Sequence, residues 1–364
     1  MPFDLSFDYL LGMAGWLATL AVSFVALLAI MRRWGKKRPA IRRVTVAGLS
    51  VWMFLAMLTL VELYFAVIYD QTDSFNMTNV SKHWFIRHVE PQQRALRFHN
   101  GQGTVYRDDH DFPEQLQDGQ RHICFVGDSF TFGHGVPNVA DRFSNRIGTD
   151  LNQKFPGKFV VSNLADAGRD LYWVERILEE LIADHQPVQT VIYVICLNDI
   201  ETFDERTSEL YDEIGSKAPQ NFLVRDTYFL NLLYYRIQQA RSQRVGGYYS
   251  FLQDSYNSLP WQKMRAKLQE IHELCEENGI DFRIAIFPFL HNLGPEYPFA
   301  AAHERIAEFG REAGLKVLDL RPVLEPHVSD GLTVNRFDAH PNARAHALVA
   351  EAIENDLLGD LWRD

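Results

Sequence analysis

A serine that directly follows a short apolar run is the first residue of the sequence that could do covalent chemistry. Residues His122 to Val126 form the run, and Gly127-Asp128-Ser129 comes next. A buried parallel strand that ends in a small-residue turn presents such a hydroxyl at the edge of a sheet, where a substrate carbonyl can reach it. The same triplet also forms ordinary turns, so alone it does not define a site.

The far end of the chain offers the base that a serine nucleophile needs. Asp338-Ala339-His340 precedes an apolar helical stretch. A histidine titrates near neutrality and can take the serine proton and later return it. Asp338 could fix the ring tautomer, since residues two apart on an extended segment project the same way. It could instead cap the following helix, which would leave a Ser-His dyad.

Two polar segments follow other apolar runs. Asn163-Leu-Ala-Asp-Ala-Gly168 comes after the run that ends at Ser162, and Leu197-Asn198-Asp199 comes after the run that ends at Ile195. In isolation each segment is typical of a turn. Both segments follow predicted strands, and in an open α/β sheet ligands bind outside the carboxyl ends of the strands.

These four blocks, in this order, resemble the motif blocks of the SGNH/GDSL hydrolases over about residues 120–360. The resemblance implies that Ser129 is the nucleophile, His340 the base and Asp338 its partner. It also implies an oxyanion hole made by the backbone N–H of Ser129, the backbone N–H of Gly168 and the side-chain amide of Asn198. The family's commonest spacing has two residues between the aspartate and the histidine, whereas this chain has only Ala339.

Apolar runs alternate with helical patterns through this part of the chain. Five runs, including Phe282 to Phe287 and Lys316 to Leu320, predict strands, and Trp261 to Glu277 predicts an amphipathic helix. This pattern indicates an α/β fold with a five-stranded parallel sheet, and the resemblance implies a flavodoxin-like SGNH-type sandwich over residues 120–364. Residues 201–259, rich in Tyr and Phe, are predicted to be an insertion that forms a substrate wall or a partner surface.

Residues 1–70 are predicted to form a transmembrane helical hairpin. The spans cover about residues 9–31 and 44–69, and each is long enough to cross a bilayer. The loop between them carries seven Lys and Arg and no acid, and positive loops stay cytoplasmic. Both termini, the connecting segment 71–119 and the remaining domain are therefore expected on the periplasmic or extracellular side of the inner (plasma) membrane.

Two features inside the spans carry separate predictions. Glu62 is the only charge of the second span and is interpreted as an interfacial anchor, with binding of a partner helix or proton transfer as the alternative. Gly15, Thr19 and Ser23 recur every four residues and predict a close contact between the two spans.

Composition excludes several classes of function. The net charge is −11, and no basic stripe is interleaved with aromatic residues, so no nucleic-acid partner is predicted. Three cysteines exclude a disulfide scaffold and a four-cysteine zinc module, and no metal-ligand spacing is found. We predict no cofactor and no metal. His134 could line the acyl pocket, but it is interpreted as a solvated loop residue.

The sequence predicts a membrane-anchored extracytoplasmic serine esterase that cleaves an acyl ester through an acyl-serine intermediate. The expected substrate is an acylated cell-envelope glycan or lipid, and membrane lipid is expected around the hairpin. One alternative is an O-acyltransferase that modifies an envelope polysaccharide with a membrane-protein partner as donor. Another is a structural subunit of a membrane complex in which Ser129 and His340 lie beyond hydrogen-bond reach.

Overall fold

The computed structural model describes residues 5–35, 37–73, 77–88, 97–100, 105–110, 112–207, 218–242 and 247–362. Contacts divide the chain into two units. The first contains residues 1–87 and 216–242, and the second contains residues 88–215 and 243–364. The middle of the predicted insertion therefore belongs to the unit of the N-terminal helices and not to the sheet domain.

The first unit, here called the hairpin unit, is helical. The basic loop joins its two long helices. Judged by length and composition alone, both helices could cross a membrane. Ser6 caps the first helix, and Pro39 begins the second, which ends in a π-helical turn at Tyr64–Ile68. The helices of the unit are α1 (Phe7–Trp34), α2 (Pro39–Leu63), α3 (Asn79–His88), α7 (Phe222–Arg225) and α8 (Phe229–Arg241).

Indole groups and one glycine make the contact between α1 and α2. Trp16 Nε1 donates to Thr59 Oγ1 at 2.9 Å, and Trp52 Nε1 donates to the Leu20 carbonyl at 2.8 Å. A Cβ on Gly48 would lie 3.0 Å from a methyl group of Leu27, whereas one on Gly15 would meet no atom within 4 Å. The prediction that the stripe beginning at Gly15 packs the two helices is therefore wrong.

The second unit, here called the sheet domain, contains the predicted five-stranded parallel sheet. Its strand order is β4-β3-β5-β6-β7, flanked by two small antiparallel pairs, β1-β2 and β8-β9. The strands are β1 (Arg97–Asn100), β2 (Val105–Asp108), β3 (Arg121–Gly127), β4 (Phe159–Asn163), β5 (Thr190–Cys196), β6 (Asp281–Phe287), β7 (Lys316–Asp319), β8 (Thr333–Asn335) and β9 (Asp338–Pro341). All five predicted sheet strands and the α/β class are confirmed.

Helices cover both faces of this sheet. Every residue of β5 is buried, and successive strand residues point to opposite faces, so neither face is open to solvent. The predicted amphipathic helix is present as α10, and it buries Met264, Leu268 and Ile271. The helices are α4 (Ser129–Phe132), α5 (Phe143–Lys154), α6 (Leu171–Ala183), α9 (Tyr248–Tyr256), α10 (Leu259–Glu277), α11 (Ala300–Glu312), α12 (Arg321–Leu324) and α13 (Ala343–Ala352).

The strand order places the polar segments at one edge of the sheet. The chain leaves β3 for β4 on one side and then crosses to β5 on the other, so β3 lies at the point where the winding reverses. In register, Phe125 lies beside Asn163 and Gly127 beside Val194. The carboxyl ends of β3, β4 and β5 are thus neighbours, which is where ligands bind in open α/β sheets.

Candidate active site

Ser129 is the first residue of the short helix α4, immediately after β3. The turn requires glycine at position 127, where φ is +155° and a Cβ would lie 2.4 Å from Thr131 Oγ1. The Asp128 carboxylate caps the helix by accepting the N–H of Phe130 at 2.9 Å. Because Ser129 opens the helix, its own N–H has no intrahelical acceptor. Hydroxyl and N–H are both placed at the sheet edge.

His340 joins Ser129 and Asp338 in a continuous chain of hydrogen bonds. Its Nε2 lies 2.8 Å from Ser129 Oγ, and its Nδ1 lies 2.5 Å from Asp338 Oδ1. The same carboxylate oxygen accepts the backbone N–H of His340 at 3.0 Å. With Nδ1–H donating to the carboxylate, Nε2 is the nitrogen left to accept the serine proton.

The short Asp-Ala-His spacing is accommodated because these residues form strand β9. Residues two apart on a strand share a face, so the Asp338 carboxylate reaches the His340 ring. The cap of the following helix is Asn342, whose side chain accepts the N–H of Arg344 and of Ala345. Burial acts to raise the pKa of Asp338, but the charge and hydrogen bonds of His340 outweigh it and hold this pKa below its ordinary value.

His134 is a site residue whose environment the sequence did not predict. It is buried, and its ring centroid lies 4.4 Å from that of His340. Burial, followed by the nearby His340, lowers the pKa of His134 to about 3, so the ring is neutral at physiological pH. The interpretation as a solvated loop residue is therefore wrong. The flanking Gly133 and Gly135, both with positive φ, are the sequence signal for such a tight loop.

Asn198 lies one residue into the segment that follows β5. Asp199 anchors this segment because its carboxylate accepts the Tyr193 hydroxyl at 2.5 Å and the Cys196 N–H at 3.1 Å. The buried amide oxygen of Asn198 receives no hydrogen bond from any residue that the structure describes. Burial raises the pKa of Asp128, while the Phe130 N–H, His340 and the neighbouring Asn198 and Ser129 oppose this shift. Asn198 therefore lies next to the serine turn in hydrogen-bond contact with Asp128, and only its amide oxygen, an acceptor, is left without a partner among the described residues.

Gly168 lies in the exposed loop after β4, with φ of +72° and open space where a Cβ would be. The start of the loop is fixed to the serine segment, since the Asn163 amide donates to the Thr131 carbonyl at 2.7 Å and Leu164 N–H donates to the Phe125 carbonyl at 2.8 Å. The left-handed backbone explains the glycine. Its role as an oxyanion donor stays a prediction.

Among the residues that the structure describes, two side-chain clusters have ligand atoms close enough to hold a metal ion. The first is His134, Asp338 and His340, but both ring nitrogens of His340 are already engaged by Ser129 and Asp338. The second is the group Asp108, Asp109 and His110, where the Arg142 guanidinium contacts both carboxylates at 3.1–3.2 Å. The first cluster thus suits proton transfer, and the second already has its counter-charge.

The fold and this site define a serine hydrolase class. The model of the GDSL-like lipase/acylhydrolase family matches residues 125–348, which is more than half of the chain. The chain belongs to this family and is a hydrolase of the GDSL type. None of the curated proteins matches the chain.

Several solved structures of esterases are similar to the chain. A two-domain esterase active on acetylated mannans shares 18% identity over 68% of this chain and 52% of its own, with a TM-score of 0.39, so the match spans about half its length. The acetylxylan esterase Axe2 from Geobacillus stearothermophilus shares 14% identity over 68% of this chain and 96% of its own, with a TM-score of 0.41. Esterase EstA from Pseudoalteromonas sp. shares 14% identity over 66% and 99%, with a TM-score of 0.40.

Proposed function

We propose that this protein is a membrane-anchored serine esterase that cleaves an acyl ester through an acyl-Ser129 intermediate. The observation that carries the proposal is the distance of 2.8 Å between Ser129 Oγ and His340 Nε2, continued by 2.5 Å from His340 Nδ1 to Asp338. A hydroxyl in contact with an oriented, buried imidazole is the arrangement that acyl transfer requires.

The proposed reaction proceeds in two halves. In the first, Ser129 Oγ attacks the ester carbonyl while His340 Nε2 takes its proton, and the same nitrogen then protonates the leaving alcohol as the C–O bond breaks. In the second, His340 takes a proton from water, which attacks the acyl-serine carbonyl. The proton returns to Ser129 as the carboxylic acid leaves. Asp338 stays ionised and stabilises the imidazolium that forms in each half.

The oxyanion of both tetrahedral intermediates needs donors near Ser129. The N–H of Ser129 has no intrahelical acceptor, and the side-chain amide of Asn198 carries N–H donors next to the serine turn. We assign these two groups, together with the N–H of Gly168, to the oxyanion hole. Donors aimed at developing charge are usually the largest single contribution to such reactions.

We propose that the two long apolar helices anchor the enzyme in the membrane. Their exposed apolar side chains support this, since Val22 is 70% and Val44 is 73% exposed. The basic loop between them supports an orientation with the sheet domain on the periplasmic or extracellular side, which we include in the proposal. An enzyme held there meets acylated glycans and lipids of the envelope, which we propose as its substrate class. A purely structural role is disfavoured, because Ser129 and His340 are within hydrogen-bond reach.

The catalytic proposal is tested by hydrolysis of p-nitrophenyl acetate with the detergent-solubilised full chain. We expect Ser129→Ala and His340→Ala each to reduce kcat/KM by roughly 10³-fold or more. The matched control is His327→Ala, which removes another histidine with a carboxylate partner, Asp330, without touching the site. Turnover by Ser129→Ala at the wild-type rate would refute the proposal. Recovery of the full chain in the soluble fraction after an alkaline wash of membranes would contradict the anchor.

A further inference from the structure

The hairpin unit contains a groove that the proposed hydrolysis does not use. Its volume is about 1130 Å³, larger than the roughly 300–1,000 Å³ of typical small-molecule pockets. One side is a helical stripe of α1 that includes Gly12, Trp16 and Thr19, and the other is formed by Leu55 and Leu58 of α2. The opposite wall is the segment 222–230 of the insertion.

The length of the groove is close to the thickness of one leaflet of a bilayer. Its lining on α1 extends from Asp8 to Thr19, a distance of about 16 Å along the helix axis. The hydrocarbon core of a bilayer is about 30 Å thick, so each leaflet contributes about half of that. An extended acyl chain of one leaflet therefore matches the groove in length.

Polarity changes along the groove in the order that a membrane lipid presents. The deep part is lined by apolar side chains such as Met13, Leu55 and Leu58. The mouth carries two cations, Lys82 and Arg225, and two anions, Asp8 and Asp226, besides the buried Glu62; Lys82 and Asp8 form no ion pair within the described ranges. Arg225 and Asp226, also at the mouth, neutralise each other at 2.6 Å. A mouth with one free charge of each sign complements a zwitterionic headgroup.

Hydrogen bonds hold the wall of the groove in place without a ligand. The buried Glu62 carboxylate, 7% exposed, accepts the backbone N–H groups of Tyr228 and Phe229 at 2.8 Å and the Tyr9 hydroxyl at 3.0 Å. The Asn79 amide donates to the carbonyl oxygens of Arg225 and Thr227 at 2.7 and 2.8 Å. Glu62 is thus the cap of helix α8, and the groove is preformed.

Exposed apolar side chains continue from the groove along the same wall. Phe222 and Leu223, which line the groove, are 64% and 51% exposed, and Leu233 and Ile237, one turn apart on α8, are also exposed. Apolar side chains of this size on short helices next to membrane spans are typical of segments that lie in the headgroup region. The wall is therefore suited to contact lipid on its outside as well as along the groove.

We propose that the groove binds one zwitterionic glycerophospholipid of the outer leaflet, of the phosphatidylethanolamine class. One acyl chain lies along the stripe from Gly12 to Thr19, the phosphate faces Lys82, and the ammonium faces Asp8. This inference rests on the proposed membrane anchoring and is independent of the hydrolytic site.

The test uses photo-crosslinking of the full chain in vesicles of phosphatidylethanolamine and phosphatidylglycerol in equal amounts. The probe is a phosphatidylethanolamine with a diazirine in one acyl chain, and Ser129→Ala is the background so that the probe is not hydrolysed. Mass spectrometry maps the adducts. We expect them to concentrate on Met13, Trp16, Leu55 and Leu58, and to be weaker with a phosphatidylglycerol probe. Equal or stronger labelling by that second probe overturns the headgroup assignment.

Two glycines of α1 provide a matched pair of variants. Gly12 lines the groove and Gly15 does not, and a Cβ on either would meet no atom within 4 Å. We expect Gly12→Phe to fill the groove and reduce labelling of Leu55 and Leu58 to near background, and Gly15→Phe to leave it unchanged.

Adducts on Val22 and Val51, which are exposed, distinguish failure of the lipid-site proposal from failure of the membrane-anchor proposal. One outcome is that the groove residues are labelled no more than these two and that Gly12→Phe does not change their labelling. This outcome overturns the lipid site and leaves the anchor intact. Absence of adducts from all of these residues overturns the membrane anchor, and the lipid site with it.

Discussion

The two units of this protein have opposite distributions of polarity. The sheet domain buries its aliphatic strands, with Ile192, Val194 and Ile284 fully inaccessible. The hairpin unit exposes valine, leucine and phenylalanine side chains of its long helices and buries Glu62. A soluble fold follows the first pattern, and a segment surrounded by hydrocarbon follows the second. This difference is the one that the proposed membrane anchor of the hairpin unit predicts.

Buried polar groups serve different purposes in the two units. In the sheet domain, Ser129, His340 and Asp338 form a chain of hydrogen bonds, which orients the hydroxyl that we propose as the nucleophile. In the hairpin unit, Glu62 accepts backbone N–H groups and thereby fixes a wall. The first arrangement orients the groups of the proposed reaction, and the second holds a backbone segment in position.

The largest expected effect concerns the reactive arrangement. Asp338→Asn keeps the size of the side chain but removes the charge that orients and stabilises the His340 imidazolium, and we expect kcat to fall by about 10⁴-fold. Stopped-flow or steady-state ester hydrolysis measures this. The control is Asp330→Asn, which removes the carboxylate partner of His327. A loss below tenfold would show that Asp338 is not part of the reactive arrangement.

A smaller effect on kcat is expected for substitution of Asn198, a proposed donor to the oxyanion. Asn198→Ala removes one donor, and we expect kcat to fall by about 10²- to 10³-fold with little change in KM. Asn152→Ala, on the exposed surface of α5, is the control for replacing an asparagine. A change confined to KM would assign Asn198 to substrate binding instead.

Substitution of Glu62 tests whether its carboxylate holds the segment 222–241 in place. Glu62→Ala leaves the N–H groups of Tyr228 and Phe229 without their acceptor, which costs about 1–3 kcal/mol. We expect faster hydrogen exchange across residues 222–241 and unchanged exchange in β5 of the sheet domain. Glu351→Ala, an exposed acid on α13, serves as control. Unchanged exchange across 222–241 would contradict a capping role.

The smallest expected effect is a pH dependence of the sheet domain. Burial lowers the pKa of His122 to about 4 and of His346 to about 3, so the unfolded chain binds more protons than the folded one between these values and about pH 6.5. Stability therefore falls as pH decreases through that window. Each such histidine contributes a slope of about 1.4 kcal/mol per pH unit.

A variant isolates one of these histidines. His346→Gln removes one titrating group, and we expect the unfolding free energy, measured by denaturant titration between pH 6.5 and 5, to depend less steeply on pH by about one proton. A slope equal to that of the wild type would show that His346 is charged in the folded protein.

Much of the sheet domain was predictable because its signals are local. Each strand is a short apolar run that ends in a polar turn, and parallel strands bring those turns together at one edge. The resemblance of the four blocks to the SGNH/GDSL motifs then selected Ser129, Asn198 and Gly168 among turn residues. The geometry of an extended segment favoured contact of Asp338 with His340 and left capping of the next helix open.

The remaining features depend on contacts between distant segments. Burial of His134 follows from its packing on His340, more than two hundred positions away. Glu62 was interpreted as an interfacial anchor because nothing in its own helix indicates that Tyr228 and Phe229 supply its partners. The grouping of residues 216–242 with the hairpin depends on the same contacts.

The central claim is that Ser129 is a nucleophile activated by His340. The most direct measurement is labelling of the solubilised full chain with a fluorophosphonate, followed by peptide mapping, for the wild type, Ser129→Ala and His340→Ala. We predict one adduct, on Ser129, that is absent from both variants while His327→Ala labels normally. An adduct on another serine, or no adduct on folded wild-type protein, would contradict the account.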